Sequence, residues 1–230
     1  MKTMLITGAS RGLGLELVKH YARDNWQVIA CCRQPESADE LKTLAEQYPS
    51  ISIEQVDILQ EEDVQALAKK YKQQTIDLLF MNAGAYGPKG YHFNGISAEE
   101  WLNVLHVNSV APFIFIKYFL DQVKQSELKQ IALMSSKMGS IADNSSGGSY
   151  IYRSSKAALN AAAKSLAIDL AGDSIKVAII HPGWVKTRMG GPNALIDTPT
   201  SIKGIKQVLD NYTLEKSGSF IAYDGQLISW

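Results

Sequence analysis

A tyrosine and a lysine lie four positions apart in the segment SYIYRSSKAALN, whose pattern predicts a helix. Tyr152 and Lys156 would share one face of that helix, whereas Tyr150, six positions before the lysine, would point away. A lysine ammonium beside a phenol favours the phenolate and prepares it for acid–base chemistry. The same spacing recurs at Tyr212 and Lys216, and one such pair is expected by chance in a chain with ten tyrosines. Only the surrounding residues can indicate which pair is chemically active.

A glycine-rich turn, TGASRGLG, follows the first apolar segment and precedes a helical pattern. Its glycines, Gly8, Gly12 and Gly14, have the spacing G-x-x-x-G-x-G, which differs from both the G-x-G-x-x-G fingerprint and the Walker A pattern. Glycines allow a tight turn and let a pyrophosphate approach the N–H groups at a helix N-terminus, where the dipole favours negative charge. A turn without a ligand is the alternative, but the strand–turn–helix context favours a dinucleotide.

The second predicted strand ends in CCRQP, without the acidic residue that binds the ribose of NAD in many dinucleotide-binding folds. Arg33 follows this strand and Arg11 lies in the glycine turn, so both are available to pair with a 2'-phosphate. Solvated surface arginines are the alternative. We expect NADP(H) to be preferred over NAD(H).

The elements that must position these residues alternate between short apolar runs and amphipathic runs. Helices are predicted from Gly12 to about Asp24, Ala38 to Gln47, Glu61 to Lys72, Ala98 to Val123, and around Tyr152. Strands are predicted at KTMLIT, QVIACC, ISIEQV, IDLLFM, KQIALMS, IKVAIIH and GSFIAY. This alternation predicts an α/β fold with a doubly wound, Rossmann-like parallel sheet, in a single domain of residues 1–230. Three irregular segments follow strands and should line the ligand crevice, namely Asn82 to Ser97, Lys137 to Ser149 and Gly183 to Thr200.

Composition excludes several classes of protein. The chain has 230 residues and 46% hydrophobic content, which is enough for a sizeable core. Lys+Arg and Asp+Glu balance at 23 each, so we expect no nucleic-acid partner. No uncharged apolar run reaches membrane-spanning length and no signal-peptide core follows the first residues, so we expect no membrane partner and a cytoplasmic location.

Neither the cysteines nor the histidines indicate a metal site. Cys31 and Cys32 are adjacent on a predicted strand and should face opposite sides as free thiols. The four histidines show no short metal-ligand spacing.

Several motifs in order make the whole chain resemble the short-chain dehydrogenase/reductase family. They are TGASRGLG, NAG at Asn82 to Gly84, Asn108 in HVNSVAPF, Ser136 in MSSKMG, Tyr152 with Lys156, and HPGWVKTRM. The C-terminal segments GGPNA and YDGQLISW are most similar to the C-factor-like and sniffer-type carbonyl reductases. The resemblance implies hydride transfer between NADP(H) and a ketone, aldehyde or alcohol, in a homodimer or homotetramer.

The resemblance also assigns roles to individual residues. Tyr152 would be the general acid/base, Lys156 its cationic partner, Ser136 the donor to the substrate oxygen, and Asn108 the holder of a water linked to Lys156. The cofactor-binding residues would be Gly8, Ser10, Arg11, Gly12, Leu13, Gly14, Arg33, Asp57, Asn82, Ala83, Gly84, Tyr152, Lys156, Pro182, Gly183, Val185 and Thr187. With an ammonium about 4.5 Å away in an effective dielectric of about 20, we expect the pKa of Tyr152 to fall by about 2 to 3.

Three features depart from many relatives. Met81 replaces a first asparagine, NSSGGS lengthens the segment between Ser136 and Tyr152, and the region after Met189 is short. Two other classes stay open. One is a cofactor-sensing or signalling protein on the same fold. The other is a serine hydrolase, although no G-x-S-x-G motif surrounds Ser136.

Overall fold

A single parallel sheet of seven strands forms the centre of the computed structural model, which describes residues 1–230. The strand order is β3-β2-β1-β4-β5-β6-β7, and all six pairings are parallel. The strands are β1 (Thr3–Thr7), β2 (Gln27–Cys32), β3 (Ile51–Gln55), β4 (Leu78–Met81), β5 (Gln130–Met134), β6 (Lys176–His181) and β7 (Phe220–Ala222). The predicted doubly wound sheet is confirmed, while the domain limits 1–230 stay a prediction.

The helices cover both faces of this sheet. They are α1 (Gly12–Arg23), α2 (Asp39–Gln47), α3 (Glu61–Lys70), α4 (Ala98–Leu105), α5 (Ala111–Lys124), α6 (Tyr150–Asp169) and α7 (Thr198–Asp210). A π-helical segment, His106–Val110, joins α4 to α5, so the long predicted helix is continuous but locally widened. One helix, α7, is absent from the sequence prediction.

Two apolar cores lie on opposite faces of the sheet because its strands are buried on both sides. The alternation of side chains sends Cys32 into the core formed with α1 and α7, and Cys31 into the core formed with α5 and α6. Both cysteines are free, as predicted, and both are buried.

The helix Ala98–Lys124 is long and apolar enough to cross a membrane by length and composition alone. Here it packs against the sheet, with Phe115, Ile116, Phe119 and Val123 in one of the two cores. A core helix of a globular fold passes the same test, so this helix is weak evidence for a membrane span.

The strand order reverses between β1 and β4, and this switch point fixes the position of the ligand crevice. The glycine turn follows β1, and the segment that begins at Asn82 follows β4. Ser136 lies just after β5, and Pro182 just after β6. The motif residues therefore meet at one edge of the sheet.

Candidate active site

The glycine turn places open backbone N–H groups at the start of α1. Gly8 and Gly12 have φ of 70° and 56°, which other residues adopt only with strain. A Cβ at Gly14 would clash with the Gly8 carbonyl oxygen, so the helix can begin this close to the turn only with glycine. No side chain caps the N-terminus of α1, and its first turn has no acidic residue. These features fit an anionic ligand such as a pyrophosphate.

The loop after β4 is fastened to this turn by hydrogen bonds. The Asn82 amide donates to the carbonyl oxygens of Thr7 and Gly8, each at 3.0 Å. The Thr7 hydroxyl accepts from the backbone N–H groups of Asn82 and Ala83 at 3.2 and 3.1 Å. These hydrogen bonds join Asn82 and Ala83 to the glycine turn in one wall. They form even though Met81 stands where many relatives have an asparagine.

The segment after β6 forms the facing wall. Gly183 has φ of 85°, and a Cβ there would lie 2.7 Å from Ile196 Cδ1, so this turn requires glycine. The Pro182 carbonyl accepts from the Ser201 hydroxyl of α7 at 2.6 Å, and Val185 is buried. Thr187 reaches across to the glycine turn, because a Cβ at Gly12 would lie 3.6 Å from Thr187 Cγ2.

Two arginines follow the carboxyl ends of β1 and β2. Arg11 and Arg33 are both exposed, and neither forms an ion pair. Asp57 follows the adjacent strand β3, where its carboxylate accepts from Leu59 N at 3.1 Å. Ser10 and Leu13 are half-buried within the glycine turn. These residues thus lie after the carboxyl ends of the neighbouring strands β1, β2 and β3, and their role in cofactor binding stays a prediction.

Ser136 lies in the loop that leaves β5. It is 9% exposed, and its hydroxyl accepts from Met138 N at 3.2 Å at the start of a short 3₁₀ turn. The loop is held from β6, because Lys137 N donates to His181 Nδ1 at 3.2 Å and Ser135 N donates to Ile180 O at 2.7 Å. No histidine is a hydrogen-bond partner of Ser136 itself, which removes support for a serine hydrolase.

Tyr152 and Lys156 lie on the buried face of α6, as their spacing predicts. They are 7% and 4% exposed, and Lys156 Nζ is 6.0 Å from the centroid of the Tyr152 ring. The ammonium donates to the Met134 carbonyl at 2.8 Å. Tyr150 is 40% exposed and points away.

The predicted fall in the pKa of Tyr152 is contradicted. Burial raises the pKa of Tyr152 to about 12, although the Ser136 side chain opposes this rise. Burial also lowers the pKa of Lys156 to about 8. The Coulombic expectation omitted desolvation, which is the largest cause of the raised pKa of Tyr152.

Asn108 lies in the π-helical segment and connects the loop after β4 with α6. Its amide accepts from Ala85 N at 2.8 Å and donates to Ala85 O at 2.8 Å and Ser155 Oγ at 2.9 Å. A Cβ at Gly84 would lie 3.2 Å from Asn108 Oδ1 and 3.6 Å from Lys156 Nζ. Asn108 therefore belongs to the site, and its predicted role in holding a water stays a prediction.

The second tyrosine–lysine pair has a different environment. Tyr212 is 4% exposed in the core beside α7, and its hydroxyl donates to the carbonyls of Lys216 and Val177 at 2.6 and 3.2 Å. The Lys216 side chain is exposed. This tyrosine supports the fold and lies away from the crevice.

Sequence reasoning missed Tyr86, which contacts the catalytic candidate directly. The Tyr86 ring stacks on Tyr152 with centroids 4.5 Å apart and an interplanar angle of 25°. The only signal in the sequence was an aromatic residue two positions after Gly84. No group of three or more His, Cys, Asp or Glu side chains could hold a metal ion.

Comparison with known proteins agrees with this geometry. A family model described as short chain dehydrogenase matches residues 2–195. The carbonyl reductase Sniffer of D. melanogaster superposes with a TM-score of 0.95 at 38% identity, covering all of both chains. An NADPH-bound carbonyl reductase from chicken fatty liver superposes with a TM-score of 0.94 at 29% identity, covering 100% of this chain and 99% of that one.

A curated relative, the C-signal protein of Myxococcus xanthus, is 36% identical over 155 residues, which cover 67% of this chain and 93% of the relative. The family model spans most of the chain, and its range includes the glycine turn, Ser136, Tyr152 and Lys156. This chain belongs to the short-chain dehydrogenase/reductase family.

Proposed function

We propose that the chain is an NADP(H)-dependent carbonyl reductase that interconverts a ketone or aldehyde with the alcohol. The observation that carries this proposal is the buried phenol of Tyr152, with Ser136 beside it and Lys156 on the same helix face. Solved structures of related carbonyl reductases with NADP or NADPH support the choice of cofactor.

The residues around the crevice fit the cofactor. The N-terminus of α1 would hold the pyrophosphate, Arg11 and Arg33 the 2'-phosphate, and Asp57 with Asn82 to Gly84 the adenosine side. The Pro182–Thr187 segment would hold the nicotinamide side, together with Tyr152 and Lys156. When bound, NADPH supplies a hydride to the substrate carbonyl carbon.

The protein's own residues then orient the substrate and provide the proton. Ser136 donates a hydrogen bond to the carbonyl oxygen and holds it beside the Tyr152 hydroxyl. With a pKa of about 12, Tyr152 is protonated at neutral pH, so it is ready to act as the acid. An alkoxide is a stronger base than a phenolate, so the proton moves from Tyr152 to the substrate oxygen. The charged Lys156 stabilises the phenolate that results.

A panel of ketones and aldehydes tests this proposal, with the loss of NADPH absorbance as the readout. We expect turnover of at least one carbonyl, faster with NADPH than with NADH. Cofactor binding without turnover of any carbonyl would favour the second candidate, a cofactor-sensing or signalling protein. That candidate is kept because a 36% identical relative is named C-signal.

We further propose a cytoplasmic homodimer or homotetramer without a membrane or nucleic-acid partner. The balanced charge of the chain and the fold shared with carbonyl reductases support this assignment.

A further inference from the structure

Tyr86 covers one face of the Tyr152 ring. The rings stack at 4.5 Å with an angle of 25°, and the covered tyrosine is only 7% exposed. Tyr86 itself is half-buried and belongs to the segment between β4 and α4. The ring on which the proposed chemistry depends is thus in contact with a second aromatic ring from another part of the chain.

Side-chain contacts hold Tyr86 in this position. Its hydroxyl is hydrogen-bonded to Ser149 Oγ at 3.0 Å, immediately before α6. Lys89 Nζ lies 5.2 Å from the Tyr86 ring centroid and donates to the Met189 carbonyl at 3.1 Å. The Tyr86 ring therefore lies near both the Tyr152 ring and a cation, and its hydroxyl is tied to the residue that precedes α6.

The backbone on both sides of Tyr86 is fixed as well. Ala85 exchanges two hydrogen bonds of 2.8 Å with the Asn108 amide. Gly87 has φ of 80°, and a Cβ there would lie 2.9 Å from Val104 Cγ2, so the chain turns sharply against α4. The backbone contacts of Ala85 and Gly87 therefore fix the position of Tyr86.

We propose that Tyr86 is a positioning residue for Tyr152, whose ring it holds so that the hydroxyl stays directed toward Ser136 and the substrate carbonyl. This inference rests on the function proposed above. It assigns Tyr86 no proton transfer of its own. A loosely held phenol would spend less time in the reactive geometry, and small misplacements of a catalytic group cost large factors in rate.

Two substitutions at Tyr86 separate the ring from the hydroxyl. Tyr86→Leu removes the stacked ring and is expected to lower kcat about thirtyfold, with KM within about threefold. Tyr86→Phe keeps the ring and is expected to stay within about threefold of wild type in both constants. NADPH affinity, measured by fluorescence, should be unchanged in both. Tyr86→Met takes the place of the leucine variant if that variant does not fold.

Tyr150→Leu is the matched control, because Tyr150 also pairs with an aromatic ring, Phe93 at 5.5 Å, but is 40% exposed and does not stack on Tyr152. It should keep kcat within about twofold. The inference is overturned if Tyr86→Leu keeps wild-type kcat, raises only KM, or is no worse than Tyr86→Phe. Tyr152→Phe, assayed beside them, tells the two proposals apart: wild-type turnover in that variant overturns the proposed function itself.

Discussion

Lys156 is a buried cation with a single backbone acceptor, the Met134 carbonyl at 2.8 Å. Burial lowers its pKa to about 8, so it is mostly charged at neutral pH and loses the charge just above. Tyr152, with a pKa of about 12, stays protonated over the same range. Lys156 therefore loses its proton at a lower pH than Tyr152, whereas a free tyrosine loses its proton slightly before a free lysine. The order is reversed because burial disfavours the charged form of both groups.

The rate of carbonyl reduction should fall as the pH rises through about 8, because the neutral amine no longer stabilises the developing phenolate. A profile of kcat/KM against pH in the reductive direction measures this fall in rate. The Lys156→Met variant should have a low rate that does not fall further as the pH rises through about 8. A wild-type profile that stays flat well above pH 8 would show that Lys156 does not control the reaction.

Substitution of Arg33 tests which cofactor the protein prefers. Its guanidinium is exposed, unpaired and close to the end of β2, so Arg33→Asp should reduce kcat/KM for NADPH at least about thirtyfold and that for NADH by less than about threefold. Steady-state kinetics with both cofactors measure the difference. Equal losses, or a wild type that prefers NADH, would refute the preference for NADP(H).

The residue types and their order predicted that Ser136, Tyr152 and Lys156 belong to one site, because α6 gives the last two a common face and Ser136 follows the end of β5 by two residues. The sequence did not predict the pKa of Tyr152, because the extent of burial depends on elements distant in the chain. Tyr86 was missed for the same reason: nothing local indicates that a loop after β4 folds over α6.

At the scale of elements, close packing between the Ser136 loop and α6 determines how the site is assembled. A Cβ at Gly139 would lie 2.8 Å from the Lys156 carbonyl carbon and 2.9 Å from Lys156 Cβ. Glycine is therefore required for steric reasons, since the loop could not approach the helix with any other residue.

Gly139→Ala should push the Ser136 loop away from α6 and lower both stability and kcat. Overpacking of this kind costs about 1 to 3 kcal/mol. Gly172→Ala is the matched control, because a Cβ there has no neighbour within 4 Å and the residue has no positive φ. Thermal unfolding and turnover measure the two effects. If Gly139→Ala behaves like wild type, as the Gly172→Ala control should, the Ser136 loop is not packed against α6 as tightly as these distances require.

Helix α7 was missed because the segment TPTSIKGIKQVLD contains proline, glycine and β-branched residues, all weak helix formers in isolation. Two signals were nevertheless present. Asp197 caps the helix by accepting from Thr200 N at 2.9 Å, and Ile202, Ile205 and Leu209 form a buried stripe. Tertiary packing against α1 outweighs the weak local propensity.

In the whole molecule, three apolar side chains remain exposed on α4, on α6 and on the π-helical segment between α4 and α5. Leu102 is 67% exposed on α4, Val110 is 49% exposed just before α5, and Ile168 is 64% exposed on α6. We expect the helical region from α4 to α5 and helix α6 to pair between subunits, and a second subunit would then cover these side chains.

Sedimentation velocity at micromolar protein should therefore show a dimer or tetramer. Leu102→Asp or Ile168→Asp should shift the protein toward the monomer, because each would bury an unpaired charge in the interface. Leu214→Asp, at a 41% exposed position outside these helices, is the control and should leave the assembly unchanged. A monomeric wild type would exclude the predicted oligomer.

Tyr152→Phe is the decisive test of the proposed proton transfer, because it keeps the ring and removes only the hydroxyl. With Tyr212→Phe as the control at the second tyrosine–lysine pair, kcat on a reducible carbonyl should fall at least about a hundredfold at Tyr152 and stay within a few fold at Tyr212. NADPH binding should be nearly unchanged in both. Wild-type turnover by Tyr152→Phe would show that the Tyr152 hydroxyl is not the proton donor.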